Sequence, residues 1–142
     1  MKKFVCAALV AMMAFSVAAC SSKDDTASDG NAAASTDGKV VKIGVFEPAS
    51  GDNGAGGKQE VLGMQYANSL TPTVEIGGEE YNVELVIVDN ESSTDKAATA
   101  ANSLVSSGAS VVLGSYGSGV SIAASDIFGN AGVPAIGVTC TN

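Results

Sequence analysis

Histidine, tryptophan and arginine are all missing from this 142-residue chain, and aromatic residues make up only 5 % of it. Without histidine the chain lacks the commonest general base and the commonest metal ligand. Its seven basic residues are all lysines and face 15 acidic ones, for a formal net charge of −8. Nucleic-acid binding needs clustered positive charge, so no nucleic-acid partner is expected. Cysteine is scarce and placed tellingly: Cys6 and Cys20 fall within the apolar N-terminal stretch, and Cys140 alone lies in the remainder. That rules out an internal disulfide framework and a Cys-x-x-Cys metal pair. A buried, inert thiol is the expected role of Cys140. The chain has no phosphate-binding P-loop, no Gly-x-Gly-x-x-Gly after its first strand-like run and no Gly-x-Ser-x-Gly elbow. No cofactor and no metal is expected.

What is present begins with an export signal at residues 1–20. Lys2 and Lys3 precede an apolar run from Phe4 to Ala19, broken only by Ser16 and short for a membrane span. The run closes on Val17-Ala18-Ala19-Cys20, which looks like a bacterial lipobox. Small residues beside the cut suit the processing protease, and the Cys20 thiol is the group that can carry a lipid. Lipid on Cys20 would hold the protein at a membrane surface. With the leader removed, 5 lysines remain against 15 acids. Residues 21–39 are mostly Ser, Asp, Ala, Thr and Gly, with Lys23, Asn31 and Lys39 and no large apolar side chain, a composition that predicts a disordered tether.

Residues 40–142 read as alternating strands and helices. Val40 to Glu47 is a β-branched, buried strand stopped by Pro48. A glycine-rich loop to Gly57 follows, then a helix from Gln59 to Leu70 with Val61, Leu62, Met64, Tyr66 and Leu70 at helical spacing. Gly77-Gly78 suits a hairpin turn, whose second arm runs into a buried strand ending at Asp89. A helix capped by Ser93 or Thr94 runs to about Ser107 and stops at Gly108. Val111 to Leu113 is the third parallel strand. Gly114 to Gly119 is a turn rich in glycine and serine, and a helix follows from Ser118, with Ile122, Ile127 and Phe128 expected to point inward. Val133 to Val138 is the last strand, leaving Thr139 to Asn142 as its exit.

This alternation predicts an α/β fold: a parallel, doubly wound, Rossmann-like sheet with helices on both faces. Right-handed crossovers bring all parallel strand ends to one edge, where such sheets bind their ligands. Four polar loops then converge: Pro48 to Gly57, Asp89 to Ser92, Ser115 to Ser118, and Thr139 to Asn142. Ser118, read as an N-cap, offers a hydroxyl there, and Gly117 and Gly119 allow close approach to a helix N-terminus that attracts anions. The same residues also suit a plain cap and turn. Asp89 at a strand end resembles a phosphoacceptor, and an α/β enzyme using Asp89 or Ser118 is the alternative from another class; no base accompanies Ser118.

Val41-Lys42-Ile43-Gly44-Val45-Phe46-Glu47-Pro48 with Ser50-Gly51 resembles the opening of the periplasmic-type (type I) solute-binding proteins of ABC importers, the branched-chain amino-acid group. Leu85 to Asn90, the helix with Ala97, Ala98, Ala101, Asn102 and Leu104, the run Val111 to Gly114, and Ala131 to Ile136 carry the same likeness. The resemblance implies the N-terminal part of a two-lobed binding protein, incomplete at Asn142. It implies an amino-acid ligand, an ABC permease and ATPase as partners, and a place outside the cell membrane held by the lipid anchor. Ser118, Thr139 and Thr141 match family ligand positions, with Gly117 and Tyr116 beside them. The family's first-loop aromatic is replaced by Gly54-Ala55-Gly56-Gly57, a wall that Tyr116 could supply instead. A sensory receptor of the same fold is the neighbouring reading.

Overall fold

The structure, a computed structural model, describes residues 38–141; the leader, Cys20 and nearly all of the tether lie outside the described residues. In chain order the elements are β1 (Val40–Glu47), α1 (Gly54–Leu70), β2 (Thr73–Ile76), β3 (Glu79–Asp89), α2 (Thr94–Ser106), β4 (Val111–Leu113), α3 (Ser118–Ala131) and β5 (Ala135–Ile136). One sheet holds all five strands in the order β2-β3-β1-β4-β5. β1 pairs in parallel with β3 and β4, and β4 in parallel with β5. Only β2 is antiparallel, the returning arm of the hairpin at Gly77-Gly78.

Side chains alternate across a strand, and β1 shows which helix covers which face. Phe46 points into the core with Ala97, Ala101, Leu104, Ala124 and Phe128, residues of α2 and α3. Its ring meets Phe128 edge to face, with centroids 5.5 Å apart. Gly44, on the same face, lies under Leu104, Ala109 and Val112. Glu47, on the other face, meets Glu60 of α1. The expected doubly wound architecture is therefore present, with α2 and α3 on one side and α1 on the other. Each large apolar side chain buried in the α2–α3 layer contributes about 1.5–3 kcal/mol, so that layer is the main core.

Five local expectations are corrected. The glycine run is helix, because α1 starts at Gly54, ahead of the expected Gln59. Close packing requires it: a Cβ on Gly57 would sit 2.2 Å from the Pro48 carbonyl oxygen. The apolar spacing of α1 marks its inner face only in part: Val61 and Met64 are half-buried, while Leu62, Tyr66 and Leu70 are exposed and Gly54 and Gly57 are the buried residues. In α3, Phe128 is buried and Ile127 half-buried as expected, but Ile122 is exposed and Val120 and Ala124 take the inner positions. β5 is two residues long, because its ladder with β4 covers only Val112–Ala135 and Leu113–Ile136. Cys140 is half-buried rather than buried.

Candidate ligand-binding site

The chain leaves β1 toward β3 through α1 and later returns to the other side of β1 with β4. Strand order therefore reverses between β1 and β4, and the crevice beyond that point is where open α/β sheets bind ligands. Two loops flank it: Pro48 to Asn53 after β1, and Gly114 to Gly117 after β4.

A network of buried and half-buried polar side chains holds the loops in place. Asp89 ends β3 beside Glu47 in register. Its carboxylate accepts the Ala49 N–H (2.8 Å), the Glu91 N–H (2.8 Å) and the Ser50 hydroxyl (2.7 Å). Burial alone would raise the Asp89 pKa, but these hydrogen bonds outweigh it and hold the carboxyl below its ordinary range. Ser92 donates its hydroxyl to the Ser50 carbonyl and accepts the Asn53 N–H, tying the β3–α2 loop to the β1–α1 loop. Asn90 is fully buried and donates to the Phe46 carbonyl and the Ser115 Oγ, each at 3.0 Å. Ser115 is also fully buried and accepts the Gly117 N–H. Ser121 Oγ accepts the Ser115 N–H, and Glu47 Oε2 accepts the Tyr116 N–H at 2.8 Å. Gly114, at φ +116, lets the chain turn here; a Cβ would lie 2.4 Å from the Phe46 carbonyl oxygen.

On this frame the expected site residues fall as follows. Gly117, not Ser118, is the N-cap of α3, in extended conformation, and no side chain caps the helix. Ser118 is the first helical residue, and the reading of it as a cap is corrected. Its Oγ is taken up elsewhere, accepting the Thr141 N–H at 3.1 Å. Ser118 and Thr141, 23 residues apart, are thus brought together at the mouth of the crevice. At the start of α3 the Gly117 N–H is bonded to Ser115 Oγ and the Val120 and Ser121 N–H groups to the Gly117 carbonyl, while the Ser118 and Gly119 N–H groups have no carbonyl one turn earlier in the helix and suit an anion. Thr139 lies on the same exposed segment after β5. Tyr116 is 41 % exposed, and its ring covers Gly56 so closely that a Cβ there would be 2.5 Å from it. The ring stands over the first turn of α1, at the position where the missing wall was noted. A cavity of about 260 Å³ opens beside α3, lined by Phe46, Ser121, Phe128 and Cys140 among others. None of the five expected residues lines it, although Gly114 and Cys140, on the segments that carry them, do.

The structure adds Glu47, Asp89, Asn90, Ser92, Ser115 and Ser121 as the residues that position the loops. A polar residue closing an apolar strand, as Glu47 and Asp89-Asn90 do, is the signal that marks three of them. Asp89, read as a possible phosphoacceptor, has its carboxylate fully engaged in loop contacts. Among the described residues, no group of three or more His, Cys, Asp or Glu side chains could hold a metal ion, and no helix is long and apolar enough to cross a membrane.

Residues 40–142 match the periplasmic binding protein family. The chain belongs to that family. Similar solved structures include the branched-chain amino acid transporter substrate-binding protein LivJ of Streptococcus pneumoniae, in complex with isoleucine. It is 34 % identical with a TM-score of 0.65, over 73 % of this chain and 30 % of LivJ. The leucine-binding protein LivK of Thermotoga maritima is 34 % identical with a TM-score of 0.66, over 72 % of this chain and 29 % of LivK. A solute-binding protein of an ABC transporter from Rhodopseudomonas palustris, in complex with benzoate, is 31 % identical with a TM-score of 0.58, over 69 % and 27 % of the two chains. A comparison with curated proteins returns no match. This periplasmic binding protein chain therefore spans about three tenths of the length of LivJ and LivK. Its sheet is a partial lobe of the type I fold of these proteins.

Proposed function

We propose that this chain is the N-terminal part of the extracytoplasmic substrate-binding component of an ABC importer. Its first lobe receives the carboxylate of a small amino acid, branched-chain by preference, for delivery to a permease driven by an ATPase. The observation that carries this reading is the Ser118–Thr141 hydrogen bond at the N-terminus of α3. That bond joins the Ser118 hydroxyl oxygen to the Thr141 backbone N–H beside the start of α3, which supports a polar ligand site at this end of the sheet. Isoleucine and benzoate, the molecules held by LivJ and by the Rhodopseudomonas protein, share a carboxylate. A carboxylate gains about 1.5–3 kcal/mol from each hydrogen bond it accepts here. An amino acid brings an ammonium as well, which suits the Thr139 and Thr141 oxygens. The reading is one of binding rather than catalysis.

Its test is a titration of the isotopically labelled chain with isoleucine and, separately, with benzoate, followed by amide resonances. Isoleucine should shift the amides of Gly117, Ser118, Thr139 and Thr141, and Ser118→Ala should weaken the response by about tenfold or more. Shifts clustered elsewhere, or a response untouched by Ser118→Ala, overturn the assignment. A response to benzoate alone replaces the amino acid with an aromatic acid.

We also propose that Cys20 carries the lipid that holds the protein at the outer surface of the cell membrane. The support is Val17-Ala18-Ala19-Cys20 behind a charged and apolar leader. Cells fed a labelled fatty acid should label the parent protein and not Cys20→Ser; label kept by the variant ends this proposal.

A further inference from the structure

Glu47 is a charged residue type at the end of a buried strand, with only 1 % of its surface exposed. One of its carboxyl oxygens, Oε2, accepts the Tyr116 N–H. The other, Oε1, is buried with no hydrogen-bond donor. Glu60, on the inner side of α1, reaches within hydrogen-bonding distance of Glu47, and its Oε2 is likewise buried with no donor. Two acceptors that meet in a buried place, each lacking a donor, are both satisfied by one proton between them. Left as two carboxylates they would combine like-charge repulsion with the cost of unmet hydrogen bonds.

The surrounding elements do not supply a cation in place of that proton. From α1 comes Glu60; from β3, in register with Glu47, comes Asp89, whose carboxylate is turned to Ala49, Ser50 and Glu91. The loop after β4 presents the Tyr116 backbone N–H. The ion pair among the described residues, Lys39 with Glu79, involves the residue before β1, at the opposite end of that strand.

We propose that Glu47 and Glu60 share one proton, and that this acid pair is the clasp positioning the Gly114–Gly117 loop against the first two turns of α1. The clasp reaches both sides of the crevice. Glu47 holds the N–H of the residue whose ring covers Gly56, one residue before the N-cap of α3. Glu60 ties the same carboxyl to the helix whose first turn holds Gly56. Loss of the proton leaves two negative charges in contact, and the loop and helix that line the crevice separate. The raised pKa of Glu47, pushed up to about 8 by burial and then by Glu60, agrees with this arrangement. Both residues act through Tyr116 and α1, and are positioning residues.

The test follows the Glu47 side-chain carboxyl by carbon-13 resonance and the Tyr116 amide by nitrogen-15 resonance during a pH titration of the full chain. In the parent, both should titrate together well above the ordinary carboxylate range. Glu60→Gln gives Glu47 a permanent donor and no neighbouring charge, so the shared midpoint should fall below that of the parent, with burial still holding it above the ordinary carboxylate range. Glu47→Gln keeps an acceptor for Tyr116 and a donor for Glu60, and should leave the Tyr116 amide without a titration. A parent midpoint in the ordinary range, or one that Glu60→Gln does not move, overturns the proposal. Should Glu47→Gln fail to fold, Glu60→Gln decides alone. No ligand is needed, so the outcome is independent of whether isoleucine binds.

Discussion

Gly56 and Gly57 are neighbours in the first turn of α1, yet a methyl group at each meets a different obstacle. At Gly57 it would strike the Pro48 carbonyl oxygen, part of a backbone fixed by the end of β1. At Gly56 it would strike the Tyr116 ring, which can swing aside. Alanine gains up to about 1 kcal/mol over glycine in a helix interior, and less in a first turn. Overpacking against fixed atoms costs about 1–3 kcal/mol. Gly57→Ala should therefore destabilise the chain, while Gly56→Ala should leave the denaturant midpoint nearly unchanged and move the Tyr116 ring resonances. Urea unfolding of both variants, with proton spectra of the tyrosine rings, checks the pair. Equal loss of stability in both would mean that Tyr116 is held as rigidly as the backbone.

At the scale of elements, the helices divide into a packed pair and a partner on the opposite face. α2 and α3 bury alanines, Leu104, Val120 and Phe128 against one face of the sheet. α1 buries glycines and shows Leu62, Tyr66 and Leu70 to solvent. Helical spacing of apolar residues in α1 thus marks its inner face only through the half-buried Val61 and Met64, and the closest approach to the end of β1 is made by glycines. Leu104→Ala should cost about 2–5 kcal/mol, since the residue is fully buried within the core cluster. Leu62→Ala, at a position 63 % exposed, should stay within about 0.5 kcal/mol. Chemical denaturation of the two leucine variants measures both. A large loss at Leu62 would place that face of α1 in contact with something.

For the whole molecule, two carboxyls bend the pH dependence of stability in opposite directions. Glu47 is raised in the folded state from 4.5 to about 8, so between those values the folded chain holds more protons than the unfolded one. Stability then falls as pH rises through that window and levels off above it. Asp89 is lowered from 3.8, so its contribution is present above that value and is lost as pH falls through the lower folded one. The melting temperature should therefore be highest at mildly acidic pH, fall toward pH 8, and fall again in strong acid. Glu60→Gln should make the alkaline limb shallower, with the part due to burial of Glu47 remaining, and leave the acid limb alone. Thermal unfolding across the pH range checks both limbs; a stability that rises from pH 5 to pH 8 contradicts the Glu47 arm.

By itself, the sequence determined the order of strands and helices, the parallel sheet and the edge where the loops gather. β-branched runs such as Val40 to Val45, stops such as Gly108 and Gly132, and the Gly77-Gly78 turn act locally, and local signals survive in a linear chain. It also named the segments that carry Ser118, Thr139 and Thr141. Only the tertiary structure decided what their polar atoms do. Ser118 Oγ is bound to Thr141 rather than capping its own helix, because a partner 23 residues away competes for it. Asn90 and Ser115 are buried and bonded to each other across the end of β1, which lies between their strands, and Glu47 and Glu60 meet only when α1 lies on the sheet. Pairings of this kind depend on distances between elements that no residue pattern within either element encodes.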